Sequence, residues 1–310
     1  MYKRLLTITP NPSLDISGFA KTIKPNEKTY VSNEITSAGG NAINVARMLT
    51  RWRIPVIATG FIGGRIGEEV NDLLLQEKVL CDFVNIKGST RVNVTVSLMK
   101  DHRHTRFSFP GPKITDSDVK RLQKVIQRNG PELLVIGGSL PPGFTIKHLN
   151  NLIHIAVKNH VDVVIDCPGK ILRELRSPKV LLLKPNLEEF QEMTGSHVRS
   201  IAAVKKRAQE FLKFASYVCV SSVEGGALLI TKQGAFFGKT APIKIKSTVG
   251  AGDSMVAAMV AKISAGVTSE EEILRWGLAA AAATLSEPGT ELGHISKFRS
   301  LFLRTKVFAV

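Results

Sequence analysis

Apolar residues follow three rhythms along this chain, and the order of those rhythms predicts its architecture. Short, nearly continuous apolar runs lie at 5–9, 55–60, 133–137, 161–166, 180–183 and 217–221, most of them closed by Gly, Pro or Asn. Such runs mark strands covered on both faces. Between them the spacing lengthens. Val45, Met48, Leu49 and Trp52 recur at the helical interval behind a diglycine turn, and a second helix is expected around Glu68 to Gln76. Strand and helix alternate in this way from 133 onward as well. That alternation predicts an α/β fold with a mostly parallel sheet flanked by helices.

The third rhythm breaks this pattern. In Thr90 to Leu98 the side chains of Val92, Val94, Val96 and Leu98 alternate strictly, Asp101 to His104 supply a turn, and Thr105 to Phe109 return. Strict alternation belongs to a sheet wet on one face, so this hairpin reads as a small β-sheet lid added to the body. A lid excludes water from a reaction. The stretch around Pro25 and Lys28 shows no rhythm, and the chain is expected to form one domain over residues 1–310, with lid segments at about 12–36 and 88–110. No repeat, low-complexity segment or long linker interrupts it.

In parallel α/β sheets ligands sit beyond the carboxyl ends of the strands, where this chain places several polar loops. Asp15 follows the first strand, and Gly138-Ser139-Leu-Pro-Pro-Gly143, Asp166-Cys-Pro-Gly169 and Lys184-Pro-Asn186-Leu-Glu-Glu189 follow later ones. Ser247-Thr-Val-Gly-Ala-Gly-Asp253-Ser254 runs into an Ala-rich helical segment. Unpaired amides at a helix start, approached closely because glycine lacks a Cβ, favour an anion such as phosphate. Each residue also has an ordinary reading alone. Asp15 could serve a turn, Lys28 the surface, Asn44 a helix interior, Arg91 an ion pair and Glu189 a helix's first turn. Their joint occurrence shifts the balance towards a site.

Composition narrows the chemistry. The chain has 310 residues, a formal net charge of +16 and only 6% aromatic residues. Its basic residues are scattered rather than interleaved with aromatics, so nucleic-acid binding is disfavoured and a small anionic substrate suits the charge better. Cys81, Cys167 and Cys219 have no metal-ligand spacing and read as buried free thiols. No segment is apolar enough to cross a membrane and the start lacks an export signal, so a cytoplasmic protein is expected. There is no Walker A loop, and the glycines from Gly60 to Gly67 miss the dinucleotide spacing. His148 and His154 are six apart, the wrong interval for a shared metal face on a helix, and no zinc site is expected.

Taken together and in order, Thr9-Pro-Asn-Pro-Ser-Leu-Asp15, Gly39-Gly40-Asn41-Ala42-Ile43-Asn44-Val45-Ala46-Arg47, Thr90-Arg91, Gly138 to Gly143, Lys184 to Glu189 and Ser247 to Ser254 give a resemblance. The chain resembles the ribokinase-like (PfkB-type) carbohydrate kinases, and their phosphofructokinase branch most closely. The resemblance implies a ribokinase-like fold and an ATP- and Mg2+-dependent sugar-phosphate kinase, with fructose 6-phosphate the first candidate substrate. 1-Phosphofructokinase and tagatose-6-phosphate kinase are the alternatives within the class, and a non-catalytic sugar-phosphate sensor is the alternative outside it. It also implies a homodimer joined through the lids and sensitivity to K+. In the carried-over roles Asp253 is the general base and Gly250, Ala251 and Gly252 form the anion hole. Asp15, Gly39, Gly40 and Asn44 would hold sugar hydroxyls, while Lys28, Arg91 and Ser139 would receive the phosphate already on the sugar. Lys184, Asn186, Ser221, Gly226 and Thr248 would line the nucleotide side, and Asn186 and Glu189 would act on magnesium through water. Two positions depart from the pattern: Val223 stands where a glycine is common, and Ala42 is expected to restrict the sugar-side turn.

Overall fold

The computed structural model describes residues 2–100, 104–176 and 178–310, so most of the turn expected at Asp101 to His104 lies outside it. Strand β1 (Leu5–Thr9) is buried along its whole length, after which the chain leaves the body for β2 (Ser13–Ala20) and β3 (Ser32–Gly39). Helix α1 (Asn41–Arg51), β4 (Val56–Ile62) and α2 (Gly64–Gln76) return it, followed by the two-residue strands β5 (Leu80–Cys81) and β6 (Val84–Asn85). The alternating segment forms β7 (Arg91–Leu98) and β8 (His104–Phe107). Regular alternation then gives α3 (Asp116–Asn129), β9 (Leu133–Gly137), α4 (Ile146–Lys158), β10 (Asp162–Asp166), α5 (Gly169–Glu174) and β11 (Val180–Leu183). Helices α6 (Leu187–Thr194) and α7 (Ile201–Gln209) precede a run of three strands, β12 (Ala215–Val223), β13 (Gly226–Ile230) and β14 (Ala235–Lys239). The chain closes with α8 (Ala251–Ser264), α9 (Glu270–Leu285), α10 (Ile295–Arg304) and β15 (Lys306–Ala309).

The main sheet has eleven strands in the order β15-β14-β13-β12-β11-β10-β9-β1-β4-β5, with β6 also on β4. From β12 to β5 the pairing is parallel, whereas β12 to β15 pair antiparallel. The apolar runs have a hidden period of two. Leu6, Ile8, Leu134, Ile136, Val163 and Ile165 pack into one core, while Leu5, Leu133, Val135, Val164 and Leu182 pack into the other, on the opposite face. Successive strand side chains point to opposite faces, so a sheet with helices on both sides needs apolar residues at every position. Truncating one of these leucines to alanine is worth about 2–5 kcal/mol. Among the described residues no helix is long and apolar enough to cross a membrane.

A second sheet, in the order β3-β2-β7-β8, stands apart from the first. It contains two strands that apolar periodicity does not reveal. β2 lies between β3 and β7 and is buried on both sides, yet its sequence includes Ser13, Asp15, Ser17 and Gly18. Such residues have low strand propensity and are held by their neighbours. The first four residues of β3 are exposed, so nothing there selects apolar side chains.

β1 sits between β4 and β9, so the chain steps to one side of β1 first and to the other later. That reversal opens a crevice at the carboxyl ends of β1 and β9, the topological position where open α/β sheets bind ligands.

Candidate active site

The crevice is a cleft of about 790 Å³. Thr9, Asn11, Gly40, Asn41, Gly138 and Ser139 form its floor, Arg91, Ser108 and Phe109 come from the lid side, and Glu189 closes one edge. At the floor, Gly40 has φ 130, a conformation that side-chain-bearing residues rarely adopt, and it starts α1 without a side-chain cap. A Cβ on Gly39 would come within 2.4 Å of the Asp15 carboxyl carbon. The diglycine is therefore the fit of the turn against an acid, and α1 begins directly beyond it. Ala42 lies inside α1 with helical neighbours, so it does not restrict the turn as expected.

Asp15 is buried on β2 and hydrogen-bonded through both oxygens, with Oδ2 taking a single donor. Its Oδ1 accepts from Ser13 Oγ at 2.7 Å and from Asn93 Nδ2 at 2.9 Å, and its Oδ2 accepts from Arg106 Nη2 at 3.3 Å. Arg91 reaches across the cleft mouth, donating through Nη1 to Phe109 O at 2.9 Å and through Nη2 to Asn11 O at 3.0 Å. Its Nε and the Oδ1 of Asn11 are buried without a partner among the described residues. Ser139 Oγ accepts from Asn11 Nδ2 at 3.3 Å beside them. Lys28 is not brought to this group. It sits in an exposed stretch of the lid, away from the residues that line the cleft.

Deeper in the body, Asp253 occupies the first turn of α8 and is buried. Its Oδ2 accepts from Asn44 Nδ2 at 2.7 Å. Burial raises its carboxyl to about 7 and the negative charge of Asp166 adds to the rise, opposed by the Asn44 hydrogen bond and by Lys184 and Arg106. A carboxylate poised near neutrality can accept a proton and pass it on, which suits a general base. Asp166 ends β10 and pairs with Lys184 at 3.2 Å, both of them buried. Burial alone would lower the Lys184 ammonium, but the Asp166 and Glu189 carboxylates outweigh it and hold it above its ordinary value. It stays charged.

Helix α8 starts at Gly250, in the left-handed conformation at φ 77, and no side chain caps its first amides. Helices α3, α4, α6, α7 and α9 carry a side-chain cap, whereas α1, α2, α5 and α10 share the uncapped start of α8, so it is the nearby Lys184 that sets α8 apart. The start of α8 thus leaves donors for a ligand, and a Cβ on Gly252 would lie 3.2 Å from Lys184 Nζ. Backbone donors and an ammonium converge on one place, an arrangement that stabilises phosphate charge.

Asn186 caps α6. Its Oδ1 accepts from Glu189 N at 2.9 Å while Glu189 Oε2 accepts from Asn186 N at 2.8 Å, a reciprocal capping box. Burial raises the Glu189 carboxyl, offset in part by that backbone donor and by Lys184. Its Oε1 takes no hydrogen bond among the described residues and Glu189 lines the cleft, so a hydrated magnesium ion fits here through water. Ser221 lies beside Asn186, bridged to it and donating its amide to Pro185 O at 3.1 Å. Thr248 is exposed just before the α8 start. Gly226 has a reason of its own, since a Cβ there would come within 2.2 Å of Gly238 O on β14. Val223 is fully buried at the irregular end of β12 and faces the core rather than the cleft.

Sequence reasoning overlooked four polar residues of the site. Asn11 lies inside a motif that was read only for Asp15. Asn93 opposes Asp15 in the β2–β7 register, but it falls between Val92 and Val94, so the alternation assigns it to the wet face although the structure buries it. Asp166 had a position but no role, and Arg106 leaves no trace in the sequence because its contact crosses the lid sheet. Cys167 and Cys219 are buried free thiols, as expected, and Cys81 is half-buried.

Residues 12–296 match the pfkB family carbohydrate kinases. The chain belongs to that family. It is 34% identical over 293 residues to the ATP-dependent 6-phosphofructokinase isozyme 2 of Escherichia coli, covering 93% of this chain and 94% of the relative. It is 32% identical over 290 residues to a 1-phosphofructokinase of Haloferax volcanii, covering 93% of each. The crystal structure of E. coli phosphofructokinase-2 in complex with potassium superposes with a TM-score of 0.91 at 31% identity, covering 97% of this chain and 98% of that one. For a pfkB kinase of this shape, the ribokinase-like body and small second sheet follow the family fold throughout.

Proposed function

We propose that this pfkB-family kinase transfers the γ-phosphoryl group of ATP to a hydroxyl of a hexose monophosphate, with fructose 6-phosphate as its substrate and a bisphosphate as its product. The observation that carries the reading is Arg91, a half-buried guanidinium at the cleft mouth whose buried Nε lacks a partner among the described residues. An unpaired buried donor is costly unless a ligand completes it, and a planar cationic fork matches phosphate. Arg106 adds a second cation nearby. A neutral sugar would leave Arg91 without a counter-charge at that end, since Arg106 already pairs with Asp15.

Asp15, Gly39 and Gly40 hold the sugar hydroxyls, and Asn44 turns towards the base. Asp253 takes the proton of the attacking hydroxyl. The oxygen then bonds to the γ-phosphorus while the bond to the bridging oxygen breaks and ADP leaves. The amides of Gly250, Ala251 and Gly252 with Lys184 receive the charge that develops on the phosphoryl oxygens. Glu189 and Asn186 lie where a hydrated magnesium ion would sit, and that ion supplies charge neutralisation along the phosphates. Ser221, Gly226 and Thr248 lie towards the rest of the nucleotide.

A second reading, 1-phosphofructokinase activity, draws support from the similarity to the Haloferax relative. Exposed Tyr30, Val31, Ile35, Met99, Phe107 and Phe109 cluster in and around the lid sheet, which supports a homodimer that covers them. The potassium complex of the E. coli relative supports a kinase whose turnover responds to K+. ADP release should be measured with fructose 6-phosphate, fructose 1-phosphate, tagatose 6-phosphate and fructose. The highest kcat/KM is expected for fructose 6-phosphate. Equal values for fructose and its 6-phosphate would move the reading to a kinase of neutral sugars.

A further inference from the structure

Helix α1 carries a buried cation that none of these roles uses. Arg47 is 5% exposed and lies one turn after Asn44, on the same helical face. Its Nη1 donates to Asn44 Oδ1 at 3.0 Å and to Ala38 O at 3.2 Å, the residue before the diglycine. Its Nε donates to Glu77 Oε1 at 2.9 Å, and Nη2 lies 2.6 Å from the same oxygen. A guanidinium has donors only, and a primary amide has one acceptor oxygen and one donor nitrogen. With Oδ1 engaged by Arg47, only Nδ2 is left to face Asp253.

We propose that Arg47 is a positioning residue for phosphoryl transfer: it holds the Asn44 amide with its NH2 towards the Asp253 carboxylate, and Glu77 balances its charge. The proposal rests on the reading of Asp253 as the base. Were the amide to turn over, its oxygen would meet the carboxylate, a contact that is favourable only if Asp253 keeps its proton. Losing Arg47 therefore moves deprotonation of the base to higher pH. The other charges facing Asp253 are Asp166 from β10, Lys184 after β11 and Arg106 from β8. Those around Arg47 are Glu77 and Arg51, and Arg51 also pairs with Glu77 at 3.6 Å and feels Glu291.

The test uses the purified full chain and the pH dependence of kcat/KM. Arg47→Met takes from Glu77 its nearest partner and leaves it only Arg51 at 3.6 Å, so the double variant Arg47→Met/Glu77→Leu is measured alongside it, with thermal unfolding to verify the fold. The expected result in the folded double variant is a kcat lowered about tenfold and an acid limb moved up by about one pH unit, the worth of one hydrogen bond to a charged group. An acid limb at its wild-type position overturns the proposal. In an Asn44→Ala background the further loss on removing Arg47 should be small, because both act through one hydrogen bond, and full additivity of the two losses overturns it as well. Near wild-type turnover of Asp253→Asn is a different failure, since it removes the base assignment itself.

Discussion

The lid side of the cleft and the buried cluster in the body, whose Asp253, Asn44, Asp166 and Lys184 do not themselves line the cleft, are built on opposite principles. At the body end Asp253, Asn44, Asp166 and Lys184 are buried and satisfy one another through contacts of 2.7 to 3.2 Å. Their elements, α1, β10 and α8 with the segment after β11, belong to the packed cores. At the lid end Arg91 and Asn11 keep buried atoms without partners, and β8 is exposed along its four residues. Charge stabilisation in phosphoryl transfer works best when donors are fixed before the substrate arrives, which the body end provides. Recognition works when the substrate completes contacts that are otherwise missing, which the lid end provides.

The sharpest way to break this contrast is at the body end. Asp253→Asn should keep the fold and ligand affinity but lower kcat by roughly 10² to 10⁴, the usual worth of a positioned base. Turnover near wild type would show that the buried cluster is structural only. The same carboxyl, raised to about 7, should appear in the wild-type pH profile. The base works only when deprotonated, so kcat/KM should fall about tenfold per pH unit below that value and level off above it.

At the lid end smaller and different effects are expected. Arg91→Ala should raise KM for the sugar phosphate at least about tenfold, the value of a charge-assisted contact, and leave KM for ATP nearly unchanged. A drop in kcat with constant KM would instead place Arg91 with the chemistry. Glu189→Gln, on the boundary between the two ends, should shift the magnesium titration to several-fold higher concentration, because a charged acceptor for coordinated water is lost. An unchanged titration would remove magnesium from this position. The smallest change is expected for Lys28→Ala, about twofold or less in KM, since Lys28 is exposed and does not line the cleft of its own chain. A tenfold rise would mean that the lid stretch folds over the substrate.

The parallel body was legible in the sequence because burial on both faces of a strand leaves no freedom in side-chain type. Leu133 to Gly137 and Val180 to Leu183 form strands with the expected bounds. β2 was illegible for the converse reason, as its inward positions hold the hydrogen-bonded pair Ser13 and Asp15 rather than apolar residues, and its neighbours hold it in place. The antiparallel strands β13 to β15 are not legible either, and the missing Cβ of Gly226 serves the close approach to β14.

By itself the sequence determined the layered α/β body and the glycine-rich starts of α1 and α8, with Asp253 in the first turn of the second, because each depends on local spacing. Tertiary structure alone decided which residues meet. Asn44 reaches Asp253 across 209 positions and Lys184 meets Asp166 across the end of the sheet. Arg106 touches Asp15 only because β7 separates β8 from β2 by one strand, and Lys28 stays outside because the lid carries it away. Contacts of this kind are set by register and strand order, which come from packing two cores around one sheet and have no signature in any short stretch of chain.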